Sequence, residues 1–87
     1  MMLKIQPTSR FKRLIKKLPE EIKERLKDTL RQLQENPKHP SLRSKPYKSI
    51  PGVFESSINM KYRILWEYDT KTKTIIILLA VGDHDIL

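Results

Sequence analysis

The chain has 87 residues without cysteine, and 18 lysines and arginines against 10 aspartates and glutamates give it a formal net charge of +8. This length predicts one domain, residues 1–87, with a modest core, and the lack of cysteine excludes disulfides and thiolate metal sites. The charge favours a polyanionic partner, either a nucleic acid or an acidic protein, and the alternative is a basic protein whose charge has no functional meaning.

The first segment of the chain predicts a short strand and a basic helix. Residues 2–6 alternate apolar and polar side chains and are followed by Pro7, which is typical of the end of an edge strand. Thr8 or Ser9 is suited to cap a helix. Apolar side chains then recur at helical spacing: Phe11, Leu14, Ile15 and Leu18. The opposite face carries only cations: Arg10, Lys12, Arg13, Lys16 and Lys17.

A second helix is predicted directly after the first. Pro19 suits a first helical position, and Glu20 and Glu21 favour the positive end of the helix dipole. Its apolar stripe consists of Ile22, Leu26, Leu30 and Leu33. The helix is expected to end at Asn36 and Pro37. Because the two helices are nearly continuous, they predict a hairpin that bends at Pro19.

The segment 37–51 contains four prolines and therefore predicts no long regular element. It is rich in lysine and arginine and has no acidic residue. Arg43, Lys45 and Lys48 are candidates to bind the phosphates of a nucleic acid, and Tyr47 among them is suited to stack on one base. The alternative is a solvated basic surface without a specific ligand.

Three strands are predicted over residues 52–58, 61–68 and 73–81. A three-residue loop between the first two would place Ile58 opposite Tyr62 and divide their side chains between two faces. The face suited to receive the helices contains Phe54, Ser56, Ile58, Tyr62, Ile64, Trp66 and Tyr68. The other face contains Glu55, Ser57, Arg63, Leu65 and Glu67. The last strand is apolar on both faces, which predicts a central position in the sheet.

These elements predict an α+β fold in the order strand, helix, helix, strand, strand, strand. The helical hairpin packs on one face of a small, mostly antiparallel sheet, and the opposite face is partly open. In an antiparallel pair, the end of one strand lies beside the start of its partner. His84, just after the last strand, is therefore expected near Arg63 on the open face.

Arg63 and His84 are the residues best suited to chemistry. An arginine inside an otherwise apolar and aromatic strand offers a planar, permanently charged fork to phosphate. Its alternative role is an ion pair with Glu55 or Glu67 across the strands. His84 can transfer a proton near neutral pH, and a flanking aspartate can fix its tautomer. The alternative for His84 is a solvated side chain with no role.

Other catalytic chemistries find little support in the sequence. Asp83, His84 and Asp85 are spaced too closely to converge on one ion, and His39 lies in a separate loop, so we predict no metal and no cofactor. There is no Gly-rich phosphate loop and no sharp turn to present a nucleophilic serine. A metal-free site of this kind can bind a phosphodiester and move a proton. On RNA, the adjacent 2′-hydroxyl is a built-in nucleophile.

The sequence does not predict secretion or membrane insertion. Residues 1–10 lack the apolar stretch of a signal peptide, and the longest apolar run, 75–81, is too short to cross a bilayer. We therefore expect a cytoplasmic protein that does not act on a membrane.

The order of elements and two segments of the sequence resemble the RelE/ParE superfamily of toxins from toxin–antitoxin systems. The two segments are IPGVFESSI–KYRILWEYD and the closing IIILLAVGDHD. The resemblance covers nearly the whole chain. It implies a compact toxin that is neutralised by an antitoxin wrapped around it. We expect this antitoxin to be acidic and to fold on binding.

The resemblance implies a function and a set of site residues. RelE-like members cut messenger RNA in the ribosomal A site without a metal, with phosphate contact by the arginine here numbered Arg63 and catalysis by the group here numbered His84. Some members use a glutamate as base, which makes Glu55 a candidate. ParE-like members instead inhibit DNA gyrase and cut nothing. Glu55 and Ser57 stand where many of the nucleases have basic residues, which favours this alternative or a toxin without activity.

Overall fold

The computed structural model describes residues 2–85 and 87. The elements are β1 (Lys4–Pro7), α1 (Ser9–Ile15), α2 (Glu20–Glu35), a 3-10 helix (Pro40–Leu42), β2 (Lys45–Pro46), β3 (Phe54–Ser57), β4 (Tyr62–Tyr68) and β5 (Ile75–Asp83). The predicted order of strands and helices is confirmed, with β2 as a two-residue addition inside the proline-rich segment. Neither helix of the described chain combines the length and the apolar composition that a membrane span requires.

The five strands form one mixed sheet in the order β1-β5-β4-β3-β2. Only β1 and β5 pair in parallel, and the other three pairs are antiparallel. The predicted α+β class with a mostly antiparallel sheet is therefore confirmed. β5 lies in the interior between β1 and β4, as its apolar faces predict, although the middle strand is β4.

The helices cover one face of the sheet and form the main core with it. The packed side chains are Phe11, Leu18, Ile22, Leu26 and Leu33 from the helical half and Ile64, Trp66, Ile76, Leu78 and Val81 from the sheet. Of the predicted α2 stripe, Leu30 is only partly buried, and Thr29 is buried instead. The Thr29 hydroxyl donates to the Arg25 carbonyl at 2.9 Å, which satisfies it inside the core.

Thr8 anchors α1 to the sheet. Its hydroxyl accepts from the Phe11 amide at 3.2 Å and donates to the Leu78 carbonyl at 2.9 Å. The same side chain therefore caps the helix and ties its start to β5. The cap predicted from the sequence is confirmed.

The hairpin between β3 and β4 has the predicted register. Ser57 lies opposite Arg63, and the Ile58 amide donates to the Tyr62 carbonyl at 2.9 Å. The loop thus has three residues, 59–61. Its Asn59 side chain accepts from the amides of Lys61 and Tyr62 and closes the turn.

A β-bulge interrupts the pairing of β4 with β5. Leu65 lies opposite Ala80 but Trp66 lies opposite Leu78, so Leu79 is an extra residue on β5. An extra residue reverses which face the later side chains occupy. Leu78 and Val81 accordingly both pack in the main core, whereas Ala80 is buried on the opposite face. The bulge therefore determines which side chains at the end of β5 face the main core and which face the opposite side of the sheet.

The face opposite the helices is less open than predicted. Its centre is a small second cluster of buried Val53, Leu65 and Ala80, against which Tyr47 and Leu79 pack. The segment 47–53 folds over the sheet to provide this cover. Gly52 has φ +83° in its turn, a backbone conformation that L side chains rarely adopt.

A chain of hydroxyl groups attaches the proline-rich segment to the main core. The Trp66 indole N–H donates to the Ser56 hydroxyl at 2.8 Å, and Ser56 bonds the Ser44 hydroxyl at 2.7 Å. Ser44 donates to the Pro37 carbonyl at 2.7 Å. Ser56 is wholly buried, so this chain holds β2 against β3 and satisfies the indole of the core tryptophan.

We predict that Ser56→Ala destabilises the fold by about 1–3 kcal/mol, because the buried Trp66 indole N–H then has no acceptor. Ser57→Ala is the matched control: Ser57 is the next residue of β3, lies on the opposite face and is partly exposed. We expect its effect to stay within about 0.5 kcal/mol. Chemical denaturation of both variants measures the difference. Equal losses in the two variants would contradict the role assigned to Ser56.

Candidate functional site

Glu55, Arg63 and His84 lie along one diagonal of the sheet, here called the site diagonal. Arg63 on β4 lies opposite Ser57 of β3 and Gly82 of β5. Glu55 is two residues from Ser57, and His84 is two residues from Gly82, in opposite directions along β4. Side chains two residues apart on a strand share a face. The register therefore places Glu55 and Arg63 on one face, while His84 follows the end of β5 in a turn at the level of residue 61.

The spacing of the site diagonal follows from strand geometry. Adjacent strands lie about 4.8 Å apart, and two residues along a strand span roughly 6.6 Å. Each step of the diagonal is then about 8 Å between Cα atoms, and Glu55 and His84 are about 16 Å apart.

Arg63 is held in an ion pair and by main-chain acceptors. Its Nε lies 3.5 Å from a carboxylate oxygen of Glu55, and its Nη1 donates to the carbonyls of Asn59 and Tyr62. The Arg63 and Glu55 side chains are only 18% and 17% exposed. The ion pair offered by the sequence as the alternative role of Arg63 is therefore present, and a phosphate bound there would compete with Glu55.

His84 follows the end of β5 in a turn and is bonded to Lys61. Its amide donates to the Lys61 carbonyl at 2.9 Å, and its Nδ1 lies 3.0 Å from the same carbonyl. Because a carbonyl only accepts, Nδ1 carries a proton, and Nε2 is the atom that can exchange one with a ligand. Nε2 lies 3.2 Å from the Asp85 carboxylate, and the imidazole is 48% exposed. Among the described residues, His84 makes no polar contact with Arg63.

Asp83 is oriented differently from His84. It pairs with Tyr62 in the register, on the helix side of the sheet. Its carboxylate accepts the Asp85 amide at 2.9 Å and lies 3.6 Å from the Lys61 ammonium. The Asp85 amide, followed by the positive charges of Lys61 and His84, holds the pKa of Asp83 below its ordinary value of 3.8. Asp83 is therefore ionised at neutral pH beside the imidazole.

The sequence argument against convergence of Asp83, His84 and Asp85 is wrong in its geometry. Residues 84 and 85 form a turn rather than continuing the strand, and one donor atom from each of the three side chains lies within 4.8 Å of the others. Nδ1 of His84 is already engaged by the Lys61 carbonyl, and Asp83 is engaged by Lys61 and the Asp85 amide. These contacts compete with an ion for the same atoms.

The predicted phosphate-binding residues fall into two groups. Lys45, Tyr47 and Lys48 line one shallow cavity of about 260 Å³ together with Glu55, so they border the site diagonal. Arg43 is separate: it lines a smaller cavity of about 140 Å³ with Ser57 and the β3–β4 turn. Tyr47 also packs against the second cluster, so only part of its ring can meet a base.

Lys61 is a site residue that the sequence analysis did not single out. It was placed only in the β3–β4 loop, yet its carbonyl holds His84 and its ammonium lies 3.6 Å from Asp83. The register that puts Arg63 opposite Gly82 also puts residue 61 opposite residue 84, but the sequence does not fix this register, because β5 is apolar on both faces.

Toxins of several toxin–antitoxin systems share this fold. A chain of the RelBE2 complex of Mycobacterium tuberculosis has a TM-score of 0.78 and 22% identity, covering 97% of this chain and 100% of that chain. A chain of the E. coli DinJ–YafQ complex has a TM-score of 0.77 and 15% identity, with 100% and 98% covered. A mutant of E. coli RelE in the free state has a TM-score of 0.74 and 18% identity, with 99% and 87% covered.

The family follows from the sequence. The family model described as the ParE toxin of the type II toxin–antitoxin system, parDE, matches residues 5–87. The chain belongs to this family, and the predicted membership of the RelE/ParE superfamily is confirmed. No curated protein matches the chain in sequence.

Proposed function

We propose that this toxin is a metal-independent endoribonuclease that cuts messenger RNA in the ribosomal A site and so inhibits translation in the cytoplasm. The single observation that carries the proposal is the site diagonal, which sets a carboxylate and an imidazole on opposite sides of an arginine. Family membership and a net charge of +8 support it.

The proposed reaction is an in-line displacement at phosphorus. The 2′-oxygen of the RNA attacks the adjacent phosphate, and the bond from phosphorus to the 5′-oxygen breaks. The attacking and leaving oxygens lie on opposite sides of phosphorus, so a base and an acid must approach from opposite directions. The products are a 2′,3′-cyclic phosphate and a 5′-hydroxyl, and the proton taken from the 2′-hydroxyl is balanced by the proton given to the leaving oxygen.

Each residue of the site diagonal has one role in this reaction. Glu55 removes the proton of the 2′-hydroxyl, and Nε2 of His84 protonates the 5′-oxygen. Arg63 exchanges its Glu55 contact for the phosphate and stabilises the charge that develops on its oxygens. Lys45 and Lys48 bind flanking phosphates beside the diagonal, with Tyr47 against a base. Arg43 binds a more distant phosphate at the β3–β4 turn.

We predict that His84→Ala lowers single-turnover cleavage of ribosome-bound messenger RNA by roughly 100-fold or more, the usual contribution of a general acid. Arg63→Ala loses a similar or larger factor, because the transition-state charge is no longer neutralised. His39→Ala is the matched control, since this second histidine bonds Ser41 in a separate loop. Cleavage by His84→Ala at the parental rate would show that the imidazole has no catalytic role.

A second candidate function is inhibition of DNA gyrase without cleavage. The observation that favours it is that the Arg63 guanidinium already has partners. It forms an ion pair with Glu55 and donates to two main-chain carbonyls. Growth arrest with loss of DNA supercoiling and intact messenger RNA would select this function over the nuclease.

We also propose that a cognate antitoxin binds the basic face of α1. All five cations of this face, Arg10, Lys12, Arg13, Lys16 and Lys17, are exposed. A groove of about 310 Å³ runs beside them and is lined by Leu14, Leu18, Val81 and Leu87, with Arg10 and Lys17 also among its lining residues. An acidic segment with apolar residues on one side matches this surface and folds as it binds. The antitoxins of the related complexes support such a partner.

We predict that the dissociation constant of the toxin–antitoxin complex rises with salt, because ion pairs on an exposed surface are screened. Lys17→Glu weakens binding by roughly 10-fold or more, since like charges at an interface cost several kcal/mol. Lys27→Glu is the control, because Lys27 lies on α2 and pairs with Glu24. A dissociation constant that is independent of salt and of Lys17 would place the antitoxin elsewhere.

A further inference from the structure

An aromatic cleft lies on the side of the sheet that faces the helices. It measures about 430 Å³, and its lining includes Phe54, Trp66, Tyr68, Pro37 and Pro46. The proposed nuclease function does not use it.

The three aromatic rings of the cleft form one packed unit. Phe54 and Trp66 stack with centroids 4.8 Å apart, and Tyr68 meets both rings edge-on at 5.8 Å and 5.1 Å. Trp66 is buried and its indole N–H is bonded to Ser56, so its ring supports Phe54 and Tyr68 from the core side of the cleft. Phe54 and Tyr68 remain partly exposed. A rigid, preformed aromatic wall of this kind suits a flat aromatic ligand.

The charge around the cleft selects a ligand that is also anionic. Lys38 is exposed and lines the cleft, Lys45 borders it, and no acidic residue contributes to the lining. An aromatic group that carries a phosphate, which is a nucleotide, matches both the rings and the lysines. An apolar side chain of a protein would use the rings and leave the lysines without a partner.

The cleft is continuous with the site diagonal around the edge of the sheet. β2 is the last strand on that side. Lys45 pairs with Glu55 on the face of the diagonal, and Pro46 pairs with Phe54 on the face of the cleft. Lys45 lines both the cleft and the cavity beside Glu55. A strand of RNA that leaves the diagonal along Lys45 therefore reaches the cleft by passing over two residues of β2.

We propose that the aromatic cleft is a second nucleotide-binding site, in which a base of single-stranded RNA flanking the cut position stacks on Phe54 and Tyr68 with its phosphate beside Lys38. The inference rests on the proposed function only in naming the bound nucleic acid as the RNA that the toxin cuts. The hydroxyl chain through Ser56 and Ser44 holds β2 and the ring of Trp66 in place, so the site is preformed in the free protein.

Trp66 makes the proposal directly measurable, because it is the only tryptophan of the chain. The probe is a short single-stranded RNA with 2′-O-methyl riboses, which cannot be cleaved, and its binding is followed by the quenching of Trp66 emission. We expect saturable quenching by this RNA. Tyr68→Leu keeps an apolar side chain but loses the ring, and we expect it to weaken binding by about 10-fold, the scale of one stacked base.

Lys38→Ala provides a second variant that does not disturb the core. We expect it to weaken binding and to lower the dependence of affinity on salt by about one phosphate contact. Lys27→Ala, an exposed lysine on α2 away from the cleft, is the matched control and should bind like the parent. Circular dichroism of each variant establishes that the fold is retained.

Three results would overturn the proposal. The first is binding of the RNA, measured by fluorescence anisotropy, that leaves the Trp66 emission unchanged. Equally tight binding of the RNA to the parent, Tyr68→Leu and Lys38→Ala would have the same meaning. The second is adenosine monophosphate binding as tightly as the RNA, which would assign the cleft to a free nucleotide. The third is quenching by an antitoxin peptide but not by RNA, which would make it a protein site. Because this RNA cannot be cut, a failure of the proposed nuclease activity leaves the binding result intact.

Discussion

The register between β4 and β5 is the constraint on which the site depends, and the bulge at Leu79 sets it. In an unbroken alternation, Leu78, Gly82 and residue 84 would share the helix side of the sheet. The extra residue reverses this, so the end of β5 completes the core through Val81 while Gly82 lies opposite Arg63, and His84 follows in the turn beside Lys61. β5 thus contributes to the hydrophobic core on one face of the sheet and to the proposed site on the other.

The ion pair between Arg63 and Glu55 links the stability of the free toxin to its proposed chemistry. A largely buried arginine needs an acidic partner, because an isolated charge there is costly. In the proposed reaction, RNA phosphate replaces that partner and the displaced carboxylate acts as the base. Lys45 and Lys48 line a cavity together with Glu55, so positive charge lies beside this carboxylate on the neighbouring segment.

The parts of the fold that depend on local patterns could be predicted from the sequence, and the parts that depend on distant contacts could not. Helical spacing predicted α1 and α2, and the hairpin loop predicted that Ser57 pairs with Arg63. β2 was missed because a two-residue strand has no pattern of its own and is held by the bond from Ser44 to Ser56. The bulge was missed because β5 is apolar on both faces. Proximity of His84 to the Arg63 strand followed from topology, whereas its bond to the Lys61 carbonyl required the three-dimensional structure.

The proposed reaction uses the 2′-hydroxyl of the RNA as its nucleophile and requires no metal. The most direct measurement is the chemistry of the new ends after the toxin has acted on ribosome-bound messenger RNA in the presence of EDTA. We expect a 2′,3′-cyclic phosphate on one fragment and a 5′-hydroxyl on the other. We expect no cleavage when the nucleotide at the cut position has a 2′-deoxyribose. A 5′-phosphate end, cleavage of the 2′-deoxy substrate, or loss of activity with EDTA would contradict it.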